Sequence, residues 1–400
     1  MFEIKESIYN KMNYKRFIKI NLNSLFIAVL LFGFLFQPVF AQDIKPLELY
    51  NNAWKILNEK YYLRAKIDFN KLQNKFDSKI KTSEDAHFYI KKLLAELNDP
   101  YTRFLTKEEF NEEQELINSM LTGIGVKLAL DKPFIVDVLP ESPAHQCGMK
   151  PNDYILKVNE EYTRNLTTNQ VASLLRGKKD SWLTVTFKRN KDILTKSLKR
   201  EDIKFNAVSS ELLESNIALI RIDSLIPENT SKLFKNEITK FKSADGVILD
   251  LRNNSGGLLK NAIEIADMFL KEGKIVSTVG PYGKTNELAN SNVISNSHIV
   301  ILVNERTASA GEILASALKE NNRAIILGKK TFGKGLVQEI VKLSDDSALH
   351  VTIASYLTPG GNNINKKGIT PDEIIPDDKK LLQRATSILL NSGRTQIAAL

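Results

Sequence analysis

The sequence predicts an α/β core with a mainly parallel sheet over residues 206–400, preceded by a helical region at 42–120 and an inserted β-rich segment with helices at 121–205. Three observations predict it. Residues 42–120 repeat apolar side chains at three-and-four spacing, as in "PLELYNNAWKILNEKYY" and "SEDAHFYIKKLLAEL", the period of a half-buried helix. Residues 121–200 change to short strands broken by turns. After 206, strands alternate with amphipathic helices of about a dozen residues, the order that builds a parallel sheet.

Within the first region, "NDPYTRFLTKEEF" (98–110) marks a break. Asp99-Pro100 is a turn, and Thr106 caps a helix beginning at Lys107. In the middle segment "GIGVKLAL", "PFIVDVL", "DYILKVN" and "WLTVTFKR" read as strands, with "NLTTNQVASLLRG" a helix between the last two. In the last region "GVILDLR" leads to the helix "GGLLKNAIEIADMFL", and "HIVILVN" leads to "SAGEILASALKENN". "RAIILGKK", "LVQEIVKL" and "ALHVTIASYLT" complete the strands.

Four hundred residues, 42% hydrophobic and 26% charged, describe a globular protein of two or three domains. The formal charge is +9, of which the first 41 residues supply +3 through five Lys/Arg against two Glu. The remainder has no arginine run and no interleaved aromatics, which speaks against a nucleic-acid face. The N-terminal basic residues precede "SLFIAVLLFGFLF" (24–36), and Val39 and Ala41 stand three and one residues before a cut after Ala41. This is the layout of a secretory signal peptide over 1–41. The stretch is short of the roughly twenty residues of a membrane span, and an uncleaved N-terminal anchor is the alternative. The single cysteine, Cys147, can form no internal disulfide and is expected to be core packing. A protein exported across an inner membrane into the periplasm, and held at the membrane if the leader is uncleaved, fits both facts.

Several short stretches carry chemistry. "TGIGV" (122–126), followed by "SPAHQCGMKPNDYILKVNE", resembles the loop of a PDZ domain, and the resemblance implies that backbone N–H groups around Gly123, Ile124, Gly125 and Val126 converge on a terminal carboxylate. Ile124, Val126 and Leu174 are expected to line an apolar pocket beside that loop. Ser309, in "TASAGEI", lies where a strand passes into a helix, at the helix's positive end. A nucleophile profits there, because backbone N–H groups can hold a developing oxyanion. "LRNNSGGLL" (251–259) makes a second strand-to-helix turn in which Gly256 or Gly257 can bring another amide to a substrate carbonyl. Lys334 follows Ser309 by twenty-five residues and Gln338 by four more. On a strand, positions four apart share a face, so Lys334 and Gln338 would point to one site. Each residue alone has a plainer reading: Ser309 as a helix cap, Lys334 as a solvated charge, the glycines as a turn, Gln338 as a polar strand residue.

"GKKTFGK" (328–334) also matches the first seven positions of a phosphate-binding loop, but Gly335 stands where a magnesium-holding Ser or Thr is needed. A hydrolase lysine must instead be neutral, and burial favours that form. The histidines, His87, His145, His298 and His350, offer rival bases outside these motifs.

The ordered series "NDPYTRFLTKEEF", "LDLRNNSGGLL", "TASAGEI", "GKKTFGKGLVQ", "SYLTPGGNNI" and "KGITPDEIIP" resembles the carboxyl-terminal processing, or tail-specific, proteases, a serine peptidase family. "TGIGV" followed by "SPAHQCGMKPNDYILKVNE" resembles a PDZ domain embedded in that series. The resemblance implies Ser309 as nucleophile, Lys334 as general base, Gln338 as the residue orienting it, and an oxyanion hole from Ala310 with Gly256 or Gly257. It implies an exported endopeptidase that needs no cofactor or metal and cleaves near the C-terminal tails of exported or membrane proteins, held by the PDZ segment. An adaptor protein and a homo-oligomer are compatible with it. The alternatives are a catalytically silent PDZ scaffold and a nucleotide-dependent enzyme built on 328–334.

Overall fold

The computed structural model describes residues 45–118, 120–129, 132–204 and 206–397, and the leader expected at 1–41 lies outside them. Helices α1 (Pro46–Lys60), α2 (Phe69–Gln73) and α3 (Ser83–Ala95) lead to a short strand β1 (Arg103–Leu105) and helix α4 (Lys107–Ile117). Capping boxes open α3 and α4, Thr82 with Asp85 and Thr106 with Glu109, so the expected Thr106 cap is present. Helix α1 packs on α3, where Leu49, Leu57, Ile90 and Leu93 are buried. Strand β1 was not foreseen in this region; three residues are too few to carry a period.

The middle segment comprises β2 (Met120–Gly123), β3 (Val126–Leu128), β4 (Ile135–Val138), α5 (Pro143–Gln146), β5 (Tyr154–Val158), β6 (Glu161–Tyr162), α6 (Thr168–Leu175), β7 (Trp182–Arg189), β8 (Asp192–Lys199) and β9 (Glu201–Lys204). Strands β2 and β9 pair antiparallel, so the segment leaves and rejoins the core through a two-stranded ribbon. Its own core gathers Ile135, Ile155, Val171, Val185 and Phe187, with Cys147 packed against it.

The last region contains β10 (Val208–Leu212), β11 (Ile217–Ile222), α7 (Thr230–Lys240), β12 (Gly246–Asp250), α8 (Leu259–Asp267), β13 (Lys274–Gly280), β14 (Gly283–Leu288), β15 (His298–Val303), α9 (Ala310–Glu320), β16 (Ala324–Gly328), β17 (Leu336–Lys342), β18 (Ala348–Leu357), β19 (Glu373–Ile374) and α10 (Asp378–Ile397). One sheet runs β10-β11-β12-β15-β16-β19 and is parallel except for β10. The second carries β1, β18, β13 and β14 in order, with β17 also on β18, and is antiparallel throughout. The expected mainly parallel sheet therefore describes one of two, and the core is built on mixed sheets. "LVQEIVKL" and "ALHVTIASYLT" account for the difference. Only residues 343–347 join them, too few for the crossover that parallel pairing requires.

Every residue of β12 is buried because both faces of its sheet are covered. Ala262, Ile265, Leu314 and Leu318 pack on one side, and Leu381, Ala385 and Leu389 of α10 on the other. The C-terminal ends of β12 and β15 then open into the two turns that build the site.

Candidate active site

Ser309 is the N-cap of α9 and holds φ 53°, ψ −120°. That conformation is strained for a residue with a side chain, of the kind retained where a function requires the turn. Glu312, fully buried, fixes it. One carboxylate oxygen, Oε2, accepts from the Ser309 amide at 2.9 Å and from the Lys334 amide at 2.9 Å. The other, Oε1, accepts from the Thr331 hydroxyl at 2.5 Å and the Gly333 amide at 2.8 Å. A single side chain thus ties the serine turn to the loop that presents the lysine. Glu312 was missed in the sequence, although the S-x-x-E spacing from Ser309 is the capping-box signal that would have found it. The Tyr356 hydroxyl donates to the Ser309 carbonyl at 3.2 Å, and burial, aided by the Glu312 charge, pushes its phenol well above the ordinary value.

The second turn, after β12, is held by Asn254. Its Nδ2 donates to the Ile222 carbonyl at 2.8 Å, and its Oδ1 accepts from the Gly256 amide at 2.8 Å. A Cβ on Gly256 would lie 2.8 Å from the Ala308 carbonyl oxygen and from Ser309 Cβ; a Cβ on Gly257 would lie 2.1 Å from backbone atoms of Leu225 and Ile226. Both have positive φ, 96° and 145°. The Gly256 amide is committed to Asn254, whereas the amides of Gly257 and Ala310 donate to no group among the described residues. Gly257 is also exposed where Gly256 is buried.

Ser309, Ala310, Gly256, Gly257, Lys334 and Gln338 line one cavity of about 350 Å³. Lys334 and Gln338 do not stand four apart on one strand, as the spacing predicts. Strand β17 begins at Leu336, and the ladder is irregular at Val337/Gln338, where Ile353 of β18 is the extra residue. The two still meet in the cavity. Lys334 Nζ makes no hydrogen bond or ion pair among the described residues and stands 4.9 Å from the centre of the Tyr101 ring. Burial first and the Arg103 charge second push the Lys334 amine below its ordinary value, while Glu113 and Asp99 push it up. Gln338 Nε2 is buried with no hydrogen-bond partner among the described residues. His350 lines the same cavity and pairs with Glu113 at 2.8 Å, so one of the four histidines does reach the site.

A second cavity, about 480 Å³, is lined by Gly123, Ile124, Gly125 and Val126, by Ala172, Leu175 and Arg176 of the helix α6 end, and by Asn206, Ser209 and Asp223 of the core. Among the described residues the amides of Ile124 and Gly125 donate to nothing. Leu174, expected in this lining, instead packs against the segment's own core; Ala172 and Leu175 take its place. An ion pair at 3.1 Å between Lys127 and Asp223 spans the segment and the core.

Comparison with known proteins gives two family matches: peptidase family S41 over residues 216–375 and the PDZ domain over residues 134–189. The chain is 36% identical over 372 residues to a carboxyl-terminal-processing protease of Picosynechococcus sp., covering 88% of each chain. It is 35% identical over 359 residues to the carboxy-terminal processing protease CtpA of Bacillus subtilis, covering 85% of this chain and 76% of that one. Among solved structures it is similar to a photosystem II D1 C-terminal processing protease, with a TM-score of 0.62, 29% identity, and 86% and 97% of the two chains covered.

Proposed function

The chain belongs to the carboxyl-terminal processing proteases of peptidase family S41, serine-type peptidases that here carry a PDZ domain, and from that premise we propose how its residues divide the work. Ser309 is the nucleophile and Lys334 the general base. Lys334 and Ser309 line the same cavity, and the proposal requires the lysine side chain to leave the Tyr101 ring and reach Ser309 Oγ. The free amine takes the hydroxyl proton as Oγ attacks the peptide carbonyl, and the ammonium returns that proton to the departing amine. Water then hydrolyses the acyl-enzyme by the same relay. Gln338, with its unpartnered Nε2 in the wall, orients the lysine. The amides of Gly257 and Ala310 receive the oxyanion, because the Gly256 amide is already taken by Asn254.

The observation that carries this reading is the Glu312 carboxylate, which ties together the main chains of Ser309 and Lys334, two residues that line one cavity. Substrates are protein C-terminal tails, whose terminal carboxylate docks on the amides of Ile124 and Gly125. Export, through the leader at 1–41, belongs to the same proposal, and cell fractionation tests it.

Ser309→Ala and Lys334→Ala should each abolish peptide cleavage in a folded protein, since nucleophile and base act as a unit. His350 is the other base the cavity could supply. Turnover that survives Lys334→Ala but is lost in His350→Asn would assign the proton relay to the histidine.

A further inference from the structure

Part of the wall of the Lys334 cavity comes from outside the region that carries the nucleophile: Pro100, Tyr101, Arg103, Glu113 and Ile117 belong to the first region of the chain. Arg103 of β1 is the direct partner of His350 on β18, so their side chains leave the sheet on the same face. Glu113, from α4, reaches both: His350 Nε2 lies 2.8 Å and Arg103 Nη2 3.5 Å from its Oε2. Tyr101, Arg103, Glu113 and His350 line the cavity together with Lys334 and Ser309.

A lysine that acts as a base must first release a proton, and these two charges bear on that release in opposite senses. Glu113 favours the ammonium, and Arg103 favours the free amine. We propose that Arg103 and Glu113 are positioning residues for catalysis, holding opposed charges in the wall that faces Lys334, so that their balance sets the pH at which the lysine becomes a base. This rests on the reading of Lys334 as the general base.

The other groups facing Lys334 are accounted for among the described residues. Asp99 is bound within its own turn, accepting from the Tyr101 amide at 2.9 Å and the Thr102 hydroxyl at 2.8 Å. Glu312 of α9 spends its charge on backbone donors, including the lysine's own amide. His350 is engaged by Glu113, and Gln338 is uncharged. Burial alone would raise the Glu113 carboxyl, but the His350 hydrogen bond and the His350, Arg103 and Lys334 charges bring it below the ordinary value, so it stays an anion.

The test is the acid limb of kcat/KM against pH, measured on the full chain with a long quenched-fluorescent peptide ending in a free carboxylate. Glu113→Gln, which keeps an oxygen for His350, should move that limb to lower pH by at least about half a unit, a roughly threefold relative gain below the midpoint. Arg103→Gln should move it up by a similar amount, and Arg103→Lys should restore it. Damage to packing lowers the plateau but does not displace the limb in opposite directions. Limbs that stay in place, or both move the same way, overturn the proposal. If Glu113→Gln does not fold, Arg103→Gln decides alone: its side chain is 52% exposed, and an unmoved limb is fatal. Turnover surviving in Lys334→Ala would remove the base and this proposal together, whereas an inactive Lys334→Ala with unmoved limbs would remove only the proposal.

Discussion

Glu312 accepts four hydrogen bonds with one buried carboxylate, from Ser309, Thr331, Gly333 and Lys334. Glu312→Gln keeps the shape but replaces one acceptor oxygen by a donor, so two of those donors lose their partner. At about 1.5 to 3 kcal/mol for each bond to a charged acceptor, the loss is about 3 to 6 kcal/mol. We expect a clear fall in denaturant midpoint and, on the proposed roles of Ser309 and Lys334, a kcat reduced at least about tenfold at nearly constant KM, because their backbones are no longer tied. An unchanged kcat would show that the tie is not needed. Lys334 makes a separate prediction. Its folded value lies below the ordinary 10.5, so between the two the unfolded chain holds more protons than the folded one. Stability therefore rises as pH climbs through that window, and the penalty of the buried amine is present in full below it. Lys334→Met, similar in volume and uncharged, should raise the melting temperature at neutral pH by about one to a few degrees and flatten its alkaline rise. A lower melting temperature would mean that the Tyr101 contact outweighs the burial.

At the scale of elements, the site is two strand-to-helix turns side by side, and Asn254 joins them: its carbonyl accepts from the Ala308 amide at 2.9 Å, while its side chain occupies the Gly256 amide and the Ile222 carbonyl. Asn254→Ala orphans two buried groups, at about 1 to 3 kcal/mol each. Stability should fall by about 2 to 6 kcal/mol in urea titration, and kcat should fall with it as the Gly257 amide loses its place. A stability loss with kcat intact would exclude this turn from the oxyanion hole. Both turns were legible in the sequence, since "LDLRNNSGGLL" and "ERTASAGEI" each place glycine or a cap between a strand and a helical period. The presentation of Lys334 was not. Its loop depends on contacts from Glu312 and from Asn365, whose side chain takes the Gly335 amide at 3.2 Å, and no local period records such contacts.

For the whole molecule, the boundary at 120 is a change of pattern and not of body. Strand β1 belongs to the sheet of β17 and β18, and ion pairs from Lys60 to Glu339 and Lys107 to Asp346, with a hydrogen bond between His87 and Asp345, tie the first region to that hairpin. Pairings separated by more than two hundred residues leave no trace in composition or spacing, which is why Arg103 and Glu113 went unread. The inserted segment was legible because its own core and loop are local. The ribbon of β2 and β9 makes its contribution separable: Gly123 and Glu201 are cross-strand partners, so a short turn can replace 124–200. If the free amides of Ile124 and Gly125 hold a terminal carboxylate, they form charge-assisted hydrogen bonds that an amidated tail cannot offer, each worth roughly 1.5 to 3 kcal/mol. Amidation should then slow cleavage of a long peptide by about tenfold or more at subsaturating concentration. A final Asp should also slow it, because its carboxylate would exchange water for the apolar contacts of Ile124, Leu175 and Ile203, while the two bases of the groove, Lys127 and Arg176, are matched by its two acids, Asp137 and Asp223. In the variant lacking 124–200 the free, amidated and Asp-ended peptides should be cut at one rate. Equal rates in the intact protein would leave the inserted domain as a spacer, with substrate selected at the Ser309 cavity alone.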